Sequence, residues 1–110
     1  MDYKSTENWI LSRLPSYQAI GKKAYNPGLK NVVEFLSTLN LPIDSLKLIH
    51  VGGTNGKGST SSYISSILQE SNYQVGIFSS PHFFDFRERI KINNQKISKS
   101  FIVDFVNKYK

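Results

Sequence analysis

His50-Val51-Gly52-Gly53-Thr54-Asn55-Gly56-Lys57-Gly58-Ser59-Thr60 is the stretch of this 110-residue chain that decides its fold. The apolar run Leu46 to Val51 leads into it, and a helix-like segment leads away. A strand, a glycine-rich turn bearing one lysine, and then a helix is an arrangement that holds the phosphates of a nucleotide. Glycines admit positive φ and let main-chain N–H groups converge on anionic oxygens. The helix N-terminus adds partial positive charge, and Lys57 can reach the outer phosphates. The expectation is a phosphate loop. In such a loop, backbone N–H groups from Asn55 to Ser59 should wrap the β-phosphate, and Lys57, the candidate catalytic group, should offset charge that spreads onto the γ-oxygens during transfer.

The loop departs from G-x-x-x-x-G-K-[ST] in two places. Val51 stands where the first glycine belongs, and Gly58 stands where a hydroxyl should follow the lysine, with Ser59 and Thr60 one step later. A generic kinase or GTPase loop is therefore a poor match. The bland alternative is a strand-to-helix turn that binds nothing. Ser59 is read two ways: a phosphate-facing or metal-facing hydroxyl, or a serine that satisfies the first helical turn.

Gly53-Thr54-Asn55-Gly56-Lys57-Gly58-Ser59 resembles the nucleotide loop of folylpolyglutamate and dihydrofolate synthases, the folate branch of the Mur ligase superfamily. Ser79-Ser80-Pro81-His82, continuing through Phe86-Arg87-Glu88-Arg89-Ile90, resembles that family's Ser-Pro-His loop and the Arg-Glu-Arg-Ile after it. Asn26-Pro27-Gly28-Leu29 stands where the family's pterin-binding loop precedes a helix, and is weak alone. The resemblance runs from about residue 25 to residue 110. It implies ATP on Thr54, Asn55, Gly56, Lys57, Gly58 and Ser59, with Mg²⁺ on Ser80. It also implies contacts to the pterin of a folate from Asn26, Pro27, Gly28 and Leu29, for which a helix N-terminal turn is the even alternative. A glutamate and a histidine completing the metal site would lie beyond residue 110. From the residues alone, Ser80 is a turn serine at the end of a strand, near the crevice where open parallel sheets bind ligands.

Composition sets outer limits. Apolar content of 39% and aromatic content of 13% fit an ordered globular chain. There is no cysteine, which excludes disulfides and thiolate metal sites. No apolar run approaches the ~20 residues of a membrane span, and Met1-Asp2-Tyr3-Lys4-Ser5 lacks a signal-peptide core. A cytoplasmic protein without a membrane or nucleic-acid partner is the expectation. The net charge of +6 comes from scattered lysines rather than a basic stripe.

Periodicity predicts a helix over 6–14, a loop over 16–27, and an amphipathic helix over 28–39 with Leu29, Val32, Val33, Leu36 and Leu39 on one face. A strand is expected at 47–51, a helix at 57–71 with Tyr63, Ile64, Ile67 and Leu68 inward, and a strand at 74–78, paired parallel to the first through a right-handed crossover. Arg89-Ile90-Lys91-Ile92 alternates like an exposed strand, Asn93-Asn94-Gln95 is a turn, and Lys96-Ile97 returns. Ser98 caps a last helix striped by Phe101, Ile102, Phe105, Val106 and Tyr109. Glu88 is expected to ion-pair with the flanking Arg87 and Arg89, and His82 and His50 to be structural. Phe83, Phe84 and Phe86 either pack the loop down or hold a pterin ring.

The fold class is α/β: a P-loop NTPase-like, doubly wound parallel sheet of the Mur ligase central domain, incomplete in this chain. Two parallel strands cannot finish such a sheet. Residues 1–110 are read as the N-terminal portion of the ATP-binding domain, without its remainder or the C-terminal ligase domain. The implied activity is an ATP-dependent ligase joining L-glutamate to a folate or dihydropteroate carboxylate through an acyl phosphate. The full-length protein is expected to be a monomer and this fragment inactive alone. A generic P-loop phosphotransferase or NTPase, and a non-enzymatic basic binding fragment, are the alternatives.

Overall fold

A computed structural model describes residues 1–14 and 28–110. Two compact units emerge: one of Met1–Arg13 with Val51–Lys110, the other of Leu14–His50. In the first, α1 (Tyr3–Arg13) opens the chain. Asp2 starts it by accepting from the Ser5 N–H at 2.8 Å, as an N-cap carboxylate does. Then come α3 (Lys57–Glu70), β1 (Gly76–Phe78), a 3₁₀ turn (Phe86–Arg89), β2 (Ile90–Ile92), β3 (Gln95–Lys96) and α4 (Lys99–Tyr109). The second unit holds α2 (Lys30–Leu39) and a 3₁₀ turn at Ile43–Ser45. On α2 only Leu36 and Leu39 are half-buried, while Leu29, Val32 and Val33 are exposed. The loop expected at 16–27, with Asn26 and Pro27 in it, lies outside the described residues.

Ser98 caps α4 as expected, its hydroxyl accepting from the Phe101 N–H at 3.1 Å. The apolar stripe of that helix divides. Ile102 and Val106 are buried with Phe86 and Ile97, and Tyr3, Trp9, Ile10 and Ile90 pack around them, so α1 lies on α4. Each buried aliphatic or aromatic side chain here contributes about 1.5–3 kcal/mol. Phe101, Phe105 and Tyr109 instead form an outer ladder, with ring centroids 6.4 and 4.8 Å apart.

The sheet corrects the expected topology. β1 pairs antiparallel with β2, and β2 antiparallel with β3, in the order β1-β2-β3. Residues 46–51 join no strand among the described residues, and β1 has no parallel neighbour there. A strand exists only where its N–H and C=O groups meet a neighbour's, and the hairpin supplies that neighbour for β1 on one side alone. Asn93 and Asn94 at φ 50° and 64° form the two-residue turn, with both central residues left-handed as right-twisted strands require. Asn93 also joins the sheet to the approach of β1, its side chain accepting from the Val75 N–H at 2.9 Å.

Helix α3 packs on β1, and on it Ser61, Ile64 and Leu68 are half-buried and Ser65 is buried. Tyr63 and Ile67, expected inward, are exposed, as is Phe78 at 75%. Serine at 65 fits a closely approached position: the Gln69 amide donates to its hydroxyl at 2.9 Å, tying it to the helix rather than leaving a buried polar group unpaired.

Candidate nucleotide site

The glycine-rich stretch folds for reasons visible at two positions. Gly53 has φ +149° and Gly56, the N-cap of α3, has φ +77°, both in the region that L side chains disfavour. Gly58 lies inside the first turn of α3, and a Cβ built there meets nothing within 4 Å. The backbone does not need a glycine at 58.

The mouth itself is polar and unclaimed. Gly56 offers no side-chain cap and the first turn carries no acidic residue. The Thr60 N–H closes on the Gly56 carbonyl at 2.9 Å, which leaves the earlier N–H groups of Lys57, Gly58 and Ser59 pointing off the helix end. Residues 52–60 are exposed, and Lys57 has no carboxylate partner among the described residues. A 14-residue helix of about 21 Å ends here with its partial positive charge, free donors and one ammonium group. This arrangement can bind an anion of phosphate size.

β1 follows α3 after the connection 71–75 and packs against it. Ser79 and Ser80 continue from β1, with Ser80 exposed and joined to Pro81 by a cis peptide. Thr54, Asn55, Gly56, Lys57, Gly58, Ser59 and Ser80 thus all lie in one unit. Gly28 (φ +104°) and the exposed Leu29 lie in the other. Among the described residues no three His, Cys, Asp or Glu side chains cluster in a metal-binding group.

Behind Ser80 stands a polar framework that alternation and helical periodicity do not signal. Contrary to the expectation from the sequence, Glu88 is not ion-paired with Arg87 or Arg89. Its carboxylate accepts from the N–H groups of Phe83, Phe84 and Asp85 at 3.1, 3.0 and 2.6 Å. These backbone donors, Phe83 first, hold the carboxyl below the usual glutamate range. Arg87 turns to Asp85, with Nη2 to Oδ2 at 2.8 Å and Nε to the same oxygen at 3.1 Å. That guanidinium, before other causes, holds the Asp85 carboxyl well below the carboxylate range. Tyr3 donates its hydroxyl to Asp85 at 2.9 Å, and burial, followed by this bond, pushes the phenol up to about 12. Glu7, buried on α1, accepts from the Phe86 N–H at 3.4 Å. Arg89 gives its Nε to His82 Nδ1 at 2.7 Å, and the His82 ring meets Phe86 edge-on at 5.8 Å. His82 is structural in this arrangement. Asp85-Phe86-Arg87-Glu88 has the capping-box spacing, which is the sequence signal for the Asp85–Glu88 part of the framework. Nothing local in the sequence signals Tyr3 and Glu7, because their partners lie 79 or more positions away.

No protein-family model matches the chain. It is 39% identical over 108 residues to the dihydrofolate synthase/folylpolyglutamate synthase of Bacillus subtilis, covering 98% of this chain and 24% of that protein. It is 42% identical over 98 residues to a folylpolyglutamate synthase of Arabidopsis thaliana, covering 87% of this chain and 16% of the relative. Among solved structures, the folylpolyglutamate synthetase of Lactobacillus casei matches with a TM-score of 0.80 at 32% identity, over 97% of this chain and 25% of that one. The chain therefore spans no more than about a quarter of the length of these relatives.

Proposed function

We propose, for a chain homologous to the folylpolyglutamate and dihydrofolate synthases, that residues 53–60 bind the phosphates of ATP in a ligase that joins L-glutamate to a folate or dihydropteroate carboxylate. The observation that carries this reading is the start of α3: left-handed Gly56, an uncapped first turn without acidic residues, and a Lys57 with no carboxylate partner among the described residues. Backbone N–H groups of Asn55 to Ser59 hold the β-phosphate, and the Lys57 ammonium lies against the γ-phosphate as charge moves onto its oxygens. The γ-phosphoryl group passes to the substrate carboxylate. The amine of glutamate then displaces phosphate, leaving an amide, ADP and phosphate.

Mg²⁺, when bound, neutralises charge on the phosphate oxygens. The oxygen ligand this chain supplies is Ser80, with Ser59 as a second hydroxyl near the loop. A hydroxyl is a suitable hard oxygen donor for Mg²⁺, and a site built on one or two such ligands leaves the remainder to water and phosphate. We take the doubly wound parallel sheet to be completed by strands on the open side of β1, and the 110 residues to be the N-terminal portion of the ATP-binding domain, inactive alone.

The test is release of ADP by this chain and by a longer protein that contains it, each with folate or dihydropteroate and with glutamate present or omitted. The proposal expects ADP from the longer protein only when both substrates are present, and none from the 110-residue chain. ADP formation indifferent to the folate and to glutamate refutes it.

A further inference from the structure

The segment between β1 and the 3₁₀ turn carries Ser80, yet little side-chain packing holds it in place. Phe83 and Phe84 are 83% and 96% exposed. Three consecutive residues on the far side of the loop grip it at separate points. Arg87 takes Asp85, Glu88 takes the N–H groups of Phe83, Phe84 and Asp85, and Arg89 takes the His82 ring. The Arg89 carbonyl also accepts from the Ser79 N–H at 2.9 Å, immediately before Ser80. A capping box requires only the bond from Glu88 to the Asp85 N–H. The bonds from Phe83 and Phe84 go beyond it, placing one carboxylate in a nest of three successive main-chain donors.

We propose that Glu88 and Arg89 are positioning residues, which fix the Ser79–Asp85 loop before any ligand arrives and so present Ser80 to the nucleotide's metal. The first half concerns the loop alone. The second rests on the reading of Ser80 given above. Glu88 acts as an internal anion that the loop wraps, and Arg89 locks the opposite arm through His82. Because Phe83 and Phe84 are exposed, the order of the loop depends on these polar contacts.

The experiment uses the ¹⁵N-labelled 110-residue chain with Glu88→Gln and Arg89→Lys. Glutamine keeps the shape of Glu88 but loses its charge, and lysine keeps the charge of Arg89 but has no Nε to give His82. Amide exchange at residues 83–85 is read first, with the thermal midpoint checking that each variant remains folded. The proposal expects these amides to exchange about tenfold faster in Glu88→Gln, the loss of a charge-assisted acceptor. Equal exchange in the two proteins, or no protection in the parent, overturns it. Mn²⁺ with an ATP analogue is then added as a paramagnetic probe. Broadening at Ser80 in the parent that weakens in both folded variants supports the positioning role, and broadening unchanged in both overturns it. If the parent shows protection at 83–85 but no broadening at Ser80, the reading of Ser80 as metal-facing fails, while the grip on the loop stands.

Discussion

Replacing Gly56 and Gly58 separately by alanine should move stability in opposite directions while weakening phosphate binding in both cases. At Gly56 the φ of +77° forces an alanine into left-handed backbone, and no atom within 4 Å adds a steric clash. The cost is therefore conformational, about 1–2 kcal/mol. At Gly58 the backbone is already helical and an added Cβ enters open space. The helix gains roughly 1 kcal/mol there from the glycine-to-alanine change. For a unit of this size each kcal/mol shifts the thermal midpoint by about 4–8 °C. Gly56→Asn should recover much of the loss, since asparagine tolerates positive φ. Calorimetry or circular dichroism gives the midpoints, and NMR titration with a non-hydrolysable ATP analogue gives the affinities. A Gly58→Ala chain that melts higher but binds the analogue at least about tenfold more weakly, ~1.4 kcal/mol, fits a close approach at that site. If Gly58→Ala binds as tightly as the parent, the mouth of α3 is not where the phosphate lies. If it melts lower, the reading of its local backbone is wrong.

Lys57→Ala should leave the thermal midpoint nearly unchanged, because the side chain has no carboxylate partner among the described residues, and should abolish measurable binding of the analogue in the same titration. Tyr3 and Asp85 set a pH dependence at both extremes. The phenol is raised in the folded chain, so its contribution is whole below pH 10 and is lost as pH climbs toward about 12. Urea melts across that window should show Tyr3→Phe losing less stability than the parent. The Asp85 carboxyl is depressed, so its contribution is present above the ordinary aspartate range and is lost as pH falls below it. Asp85→Asn should flatten the acid limb of the same curve. At the hairpin, Asn94→Val places a branched side chain at φ 64° and should cost about 1–2 kcal/mol, whereas Asn94→Gly should be neutral or stabilising by urea denaturation.

Local features were legible in the sequence where local physics fixes them. Ser98 had a helix to cap, Asn93-Asn94 had a turn to make, and the glycines around Lys57 had a backbone to bend. Burial was less legible. Tyr63 and Ile67 have helical spacing with Ile64 and Leu68, but spacing names a stripe without saying how wide the covering surface is, and β1 covers only part of it. Strand pairing was only partly legible, because an apolar run such as 46–51 shows that a strand is favourable, not which neighbour it meets. The charges of Arg87-Glu88-Arg89 suggested a self-contained ion pair. The backbone instead turns each side chain to a different partner, because unpaired loop N–H groups compete for the glutamate.

The packing of α1 on α4 gives the first unit an order of assembly. Residues 1–13 meet their partner only after the excursion through 14–50 and most of the remaining sequence have been made. On a ribosome the first helix must wait, its Trp9 and Ile10 exposed, until Ile102 and Val106 emerge. Closing so long a span before any reward arrives slows the step, while α3 and the hairpin form from near neighbours. Refolding should therefore be biphasic, with hairpin amides protected early and the fluorescence of Trp9, the single tryptophan, changing late.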